Sequence, residues 1–313
     1  MTRALAAFGL LALALTSVAS AQQTPAARPT VRVAMPAVDA ASQAYYAQAR
    51  GFFKQAGINV EITTVSGGAA VAAAVASGAV DIGQSNLSSI SSAHERGIPL
   101  VAIAGANLFS SKTHQSALVV AAGSPFHDAR DFNGKTIGVA GLKNITEIAF
   151  DKWMDVNGGT WSSVKFVEVP FSTMGEAVAS GRIDGAMMTE PELGDSLGKK
   201  RVRAFASPMD AIASEFVVGV WFTTAGYAKA HPDIVRAYAS AMAMAADWAN
   251  RNHPESAKLL EAATGIPVGA NAARIMFANR LDTKAMQPVI DASAKYGALK
   301  APFKAEELLA TDS

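Results

Sequence analysis

Cysteine is missing from all 313 residues, which removes disulfides, thiolate nucleophiles and cysteine metal sites together. Histidine is scarce: His94, His114, His127, His231 and His253 are scattered without metal-ligand spacing, so no metal site is expected. His231 and His253 each precede a proline at a helix start, a structural setting. An HExxH pair and a complete phosphate loop with glycine five positions before its GKS or GKT are both absent. No catalytic constellation and no cofactor fingerprint are left to read. An excess of one charge is lacking too, since 27 Lys and Arg stand against 26 Asp and Glu. A balanced surface gives no reason to expect nucleic acid or an anionic membrane as partner. Beyond the N-terminal segment there is no run of about 18 or more apolar residues of the kind that spans a bilayer.

What is present begins with that segment. Arg3, the apolar run from Ala4 to Leu15, and Ala19-Ser20-Ala21 have the layout of a cleavable signal peptide over 1–21, with the mature chain starting at Gln22. No Cys follows the apolar run, which argues against a lipid anchor. Loss of Arg3 leaves the mature chain formally neutral. Its length suits two lobes, because domains commonly hold about 100–150 residues.

From Pro29 the chain alternates short apolar runs with helical stretches, the pattern of an α/β protein with mainly parallel sheets. Strands are expected at 31–35, 59–65, 80–83 and 99–105, and helices at 42–57, 66–78 and 88–97. The run AVASG then occurs twice, at Ala74 to Gly78 and at Ala177 to Gly181, each time followed by an apolar residue and Asp. Asp184 follows Asp81 by 103 positions, Val164 follows Val60 by 104, and Val139 follows Val33 by 106. Strands recurring at one offset point to two similar β-α-β-α-β lobes. Within each repeat a glycine ends the helix in the left-handed region. The following Asp81 or Asp184 is expected to accept hydrogen bonds from nearby backbone donors.

The expected organisation is lobe 1 over 29–112, lobe 2 over 113–214, and a return strand with C-terminal helices over 215–313 packing on lobe 1. The run at 215–226 reads as β-rich, and 231–250 as a long helix with Val235, Tyr238, Met242, Ala245 and Ala249 along one stripe. Further helices are expected near 254–263, 270–280 and 283–296.

In such sheets ligands bind beyond the carboxyl ends of the strands, where loops lead into helix N-termini. The loops there are 36–43, 66–68, 84–86, 109–115, 141–146, 171–175 and 188–191, joined by the surroundings of Trp221. They supply the candidate ligand contacts Asp39, Gln43, Gly67, Gly68, Gln84, Ser85, Asn86, Ser110, Ser111, Lys143, Asn144, Phe171, Glu190 and Trp221. Ser66 is read as a plain helix cap, and Tyr46 as core. The loops hold no Arg, whereas phosphate-type dianions usually recruit it. A monoanion, a zwitterion or a polar heterocycle is expected instead. Glu190 could take a ligand amine or merely anchor its own turn; Lys143 could face an anion or water.

The run from Tyr46-Ala47 through Gly51-Phe52-Phe53-Lys54 and Gly57-Ile58 to Val60-Glu61 resembles a signature of ABC-transporter periplasmic binding proteins. The branch is the one for sulfonates, taurine, nitrate and thiamine-pyrimidine precursors. The resemblance continues through Ser66-Gly67-Gly68, Val80-Asp81-Ile82-Gly83, Gly97-Ile98-Pro99-Leu100, Asp131-Phe132, Gly134-Lys135, Ile183-Asp184-Gly185-Ala186 and Glu190-Pro191. It implies a two-lobe clamp of the second periplasmic type, monomeric, located in the periplasm, holding a sulfonate-, carboxylate- or pyrimidine-like solute without a cofactor. Its implied partner is an ABC permease. A sensor presenting the same solutes to a membrane receptor is an open alternative. A related pyrimidine-synthase enzyme is disfavoured, because that type uses a Cys-rich motif and this chain has no Cys.

Overall fold

A computed structural model describes residues 28–65, 67–265, 267–269 and 273–310. The signal segment and Ser66 lie outside the described residues. The first strand, β1 (Thr30–Met35), buries Val31 and Val33 while Thr30 and Arg32 face solvent. The helix expected over 42–57 is two helices, α1 (Gln43–Ala49) and α2 (Phe52–Gln55). Gly51 divides them at φ +73°, a left-handed conformation that ends a helix. Then come β2 (Asn59–Thr64) and α3 (Gly68–Ala76). Strand β3 spans Ile82–Asn86, later than the expected 80–83. Its last three residues pair antiparallel with a strand more than a hundred positions away, Gly219 opposite Asn86 and Trp221 opposite Gln84. No local pattern could announce that partner. Helix α4 (Leu87–Glu95) and strand β4 (Leu100–Gly105) complete this half.

Strands β5 (Asn107–Ser110) and β6 (Ser116–Ala121) lead into the second unit. It continues with β7 (Thr136–Val139), α5 (Ile145–Val156), β8 (Lys165–Glu168), α6 (Phe171–Ala179), β9 (Gly185–Thr189), α7 (Glu192–Gly198) and β10 (Val202–Ala206). The chain then returns through β11 (Glu215–Val217) and β12 (Gly219–Thr224) to α8 (Ala225–Ala230), α9 (Pro232–Ala249) and α10 (His253–Thr264). The helix expected near 270–280 is replaced, in its described part, by the short strand β13 (Met276–Phe277). Phe277 is buried there, and the strand pairs with Asn107 and Leu108 of β5. Helix α11 (Thr283–Lys295) follows. No helix among the described residues is long and apolar enough to cross a membrane.

Two five-stranded sheets share one topology. The first runs β2-β1-β3-β12-β4 and the second, read the same way, β8-β7-β9-β6-β10. In each, the first three strands are parallel and the fourth is reversed. The fold is therefore a two-lobed α/β arrangement with mixed sheets, more mixed than the expected mainly parallel ones. The reversed strand of the first sheet, β12, arrives only after the second sheet is complete. Register corrects one alignment: Val33 sits opposite Ile82 as Ile137 sits opposite Gly185. The counterpart of Val33 is Ile137, not Val139, which brings that offset to 104.

The repeated run is the same corner twice. Gly78 N–H donates to Val75 O and Gly181 N–H to Val178 O, both at 3.0 Å, with φ +74° and +73°. Asp81 and Asp184 then each exchange two bonds with the neighbouring strand. Their N–H groups donate to Arg32 O and Thr136 O at 2.9 Å. Their Oδ2 atoms accept from Arg32 N–H and Thr136 N–H at 2.8 Å. This ties the incoming strand to the central one at a fixed register.

Helix α9 buries Tyr238, Ala241, Met242, Ala245, Ala246 and Ala249, and packs on α1, α2 and β4. Helix α11 does not stay with the first sheet: it lies against both α4 and α5. Lys295 and Tyr296 both reach Asp155 of α5 at 2.8 Å.

The corner predicts paired effects. Asp81→Ala and Asp184→Ala should each lower stability by about 1–3 kcal/mol, the cost of stranding a strand donor. Gly78 and Gly181 have open space around them, so alanine there should cost only backbone strain, about 1–2 kcal/mol. Urea unfolding of the four variants checks both.

Candidate functional site

The carboxyl ends of the strands meet around a cavity of about 520 Å³. Both sheets contribute to its wall: Gln84, Ser85 and Asn86 from β3, Asn107 and Phe109 from β5, Gln115 and Ser116 entering β6, and Thr189 from β9. Helix starts add Gly67 and Gly68 at α3, Asn144 to Thr146 at α5, and Pro170 and Phe171 at α6. The remaining wall is largely apolar, with Pro36, Val38, Val169, Met209, Val218 and Ile275. Glycine at 68 is a packing requirement, since a Cβ there would stand 2.1 Å from Ser85 Oγ. The start of α3 is thereby held against the end of β3.

Seven of the fourteen candidates line this cavity: Gly67, Gly68, Gln84, Ser85, Asn86, Asn144 and Phe171. The other seven lie elsewhere, each for a visible reason. Asp39 is fully buried in an ion pair with Arg274 at 2.9 Å. Gln43 donates to Met242 O and accepts from Trp221 Nε1–H, both at 2.8 Å. Trp221 is fully buried and meets the Tyr238 ring edge to face. Ser110 Oγ accepts from Lys112 N–H, and Ser111 N–H donates to Ser214 O. Lys143, at φ +57°, turns its Nζ to Gly297 O at 2.6 Å. Glu190 is buried and accepts from Gly194 N–H at 3.0 Å.

Asn107, Ser116 and Glu168 line the cavity outside the expected loops, and Gln115, Thr146 and Thr189 line it from within those loops, though not among the fourteen candidates. Gln115 closes the 109–115 segment, and following that segment one position into the next strand reaches Ser116. Met209 and Ile275 carry no local signal at all.

No Lys or Arg lines the cavity among the described residues. The one charged side chain in its wall is Glu168, whose Oε1 accepts from Leu142 N–H at 2.8 Å. The starts of α4 and α5 are capped by Asn86 and Asn144, which accept from Ser89 N–H and Thr146 N–H. Gly67, the residue before α3, offers no capping side chain. No group of three or more acidic or histidine side chains is placed to hold a metal ion among the described residues.

The family profile described as NMT1/THI5 like matches residues 40–257. No curated protein sequence matches the chain. Among solved structures, the periplasmic aliphatic sulphonate binding protein of Escherichia coli is similar with a TM-score of 0.73 at 12% identity, over 91% of this chain and 92% of that one. The alkanesulfonate-binding protein of Xanthomonas axonopodis pv. citri, bound to MOPS, gives 0.74 at 17% identity over 90% and 97%. The periplasmic nitrate-binding protein of Synechocystis PCC 6803 gives 0.71 at 14% identity over 87% and 82%. At these identities the likeness is one of fold.

Burial pushes the Glu190 carboxyl up to about 6; the Gly194 N–H opposes the rise, while the Asp39 and Glu192 carboxylates add to it. A carboxyl raised in the folded state stabilises at low pH, and that contribution is lost as pH climbs from the ordinary 4.5 through about 6. Between pH 4 and pH 8 the balance should therefore shift by about 2 kcal/mol in favour of Glu190→Gln over the unaltered protein. Denaturation of both proteins across that range measures it.

Proposed function

The chain belongs to the NMT1/THI5-like family, and on that premise we propose that it is an exported solute-binding protein. It closes two lobes on one small organic molecule and hands that molecule to an ABC importer. The observation that carries this reading is the cavity itself, walled by strand ends and helix starts from both sheets at once. A molecule held there touches both lobes, so closing around it links ligand capture to domain motion. The two connections between the five-stranded sheets, 106–115 and 207–218, carry the paired strands β5 and β11 and are the natural hinge segments, flanking lobe 2.

Other observations support the same reading. The cavity lies where open α/β sheets bind ligands, beyond the carboxyl ends of their parallel strands. Its volume is within the range of about 300–1,000 Å³ common for small-molecule sites. Its apolar wall suits an organic solute of the sulfonate-, carboxylate- or pyrimidine-like classes better than a bare inorganic ion. The signal-peptide layout of residues 1–21 accounts for a periplasmic location, and an inner-membrane permease is the partner such a clamp requires. Binding by a monomer needs no second copy, because both walls come from one chain.

A saturating ligand stabilises the folded form by mass action, about 2.7 kcal/mol at a hundredfold excess over Kd. Thermal unfolding in the presence of sulfonates, carboxylates, nitrate and pyrimidines should raise the melting temperature for at least one compound. No rise with any of them would contradict the proposal.

A further inference from the structure

Four amide side chains among the described residues are buried: Gln43, Gln84, Asn107 and Gln115. Two of them are paired. Gln43 binds Met242 O and Trp221, and Gln115 donates to Thr113 Oγ1. Gln84 and Asn107, 3% and 5% exposed, have side chains that bond to no group among the described residues. Beside them Ser85 Oγ, in a residue 1% exposed, is likewise without a partner. All three line the cavity. Buried polar groups are nearly always hydrogen-bonded, and leaving one unpaired is costly. Ser85 Oγ is the fully enclosed one of the three, whereas the Gln84 and Asn107 amides are unpaired on the wall of the cavity, where an entering molecule can bond to them.

Their arrangement restricts what that molecule is. Gln84 and Asn107 converge over Gly219, where a Cβ would stand 2.7 Å from Gln84 Nε2 and 2.5 Å from Asn107 Oδ1. Each amide offers both a donor and an acceptor, so the wall asks for a group that supplies both in return. A fully ionised acid supplies acceptors alone. No Lys or Arg among the described residues lines the cavity to balance a buried anion, and Glu168 adds negative charge to its wall. An anion taken into such a site would be balanced by helix starts alone, with no side-chain cation to pair it.

Taking the cavity as the ligand site proposed above, we infer that it selects an uncharged organic molecule. The buried end of that molecule carries a donor and an acceptor side by side, as an amide, lactam or ureido group does. Gln84, Ser85 and Asn107 read this end. The apolar remainder of the molecule lies along Val38, Ile145, Val169, Phe171, Met209 and Ile275.

Three matched probe panels test this by thermal shift and calorimetry: uncharged amides and lactams, carboxylates, and sulfonates, each built on the same aryl and alkyl bodies. Benzamide, benzoate and benzenesulfonate form one such set. Stabilisation is expected from the uncharged panel, and the best uncharged binder should lose at least tenfold in affinity in both Gln84→Leu and Asn107→Leu. Melting of the ligand-free variants confirms that each is folded. A carboxylate or sulfonate that binds more tightly than its uncharged counterpart would overturn the inference and leave the solute-binding proposal intact. An uncharged binder indifferent to both substitutions would overturn the role of these side chains. Binding by no member of any panel would overturn the inference and the proposed function together.

Discussion

Each lobe depends on one bond from a carboxylate to the backbone of a neighbouring strand. In the first lobe Asp81 Oδ2 accepts from Arg32 N–H, and in the second Asp184 Oδ2 accepts from Thr136 N–H, both at 2.8 Å. A helix ends at a left-handed glycine, the chain turns, and the Asp locks the new strand against the central one. Shifting that strand by one residue would invert its faces. With the register held, β3 and β9 end at corresponding places, and Gln84 to Asn86 and Thr189 arrive at one cavity. The first lobe adds the Arg32 guanidinium to the same carboxylate at 2.6 Å, where the second has only a threonine. The shared element is the backbone bond.

Around the cavity, formal charge is drawn away from the wall. Arg274 is taken by Asp39, Lys143 by Gly297 O, and Glu190 by Gly194 N–H. What remains facing inward is neutral: amides, hydroxyls, helix starts and apolar side chains, with Glu168 as the charged exception. A ligand taken up there would be selected by shape and hydrogen-bond pairing more than by attraction to charged side chains. Helix α11 joins this arrangement mechanically, because it packs on α4 from one lobe and α5 from the other.

Much of the scaffold was legible because its signals are local. A glycine, a small apolar residue and an Asp within eight positions mark each corner, and the offset near 103 marks the duplication. Errors arose where the deciding partner is distant. Gln84, Ser85 and Asn86 read as a loop until β12 supplies their ladder. Asp39, Gln43 and Trp221 occupy segments that lead to the cleft, yet they turn inward. The Trp221–Gln43 bond spans 178 positions and the Arg274–Asp39 bond 235. No window on the sequence contains both ends of either. Gly51 is a different case, a residue visible in the sequence whose left-handed conformation divides α1 from α2. The polar cavity residues Asn107, Gln115 and Thr146 look like ordinary strand or cap residues in sequence, and only the closing of two sheets gives them a common target.

In the proposed clamp, one cavity between the lobes holds one small organic molecule. Dialysis of the intact mature protein against a small-molecule extract of its own cells, followed by native mass spectrometry, tests it most directly. A single adduct of one mass, at one per chain and released when the protein is unfolded, is expected. A protein mass unchanged after dialysis, or a ladder of adducts exceeding one per chain, would contradict it.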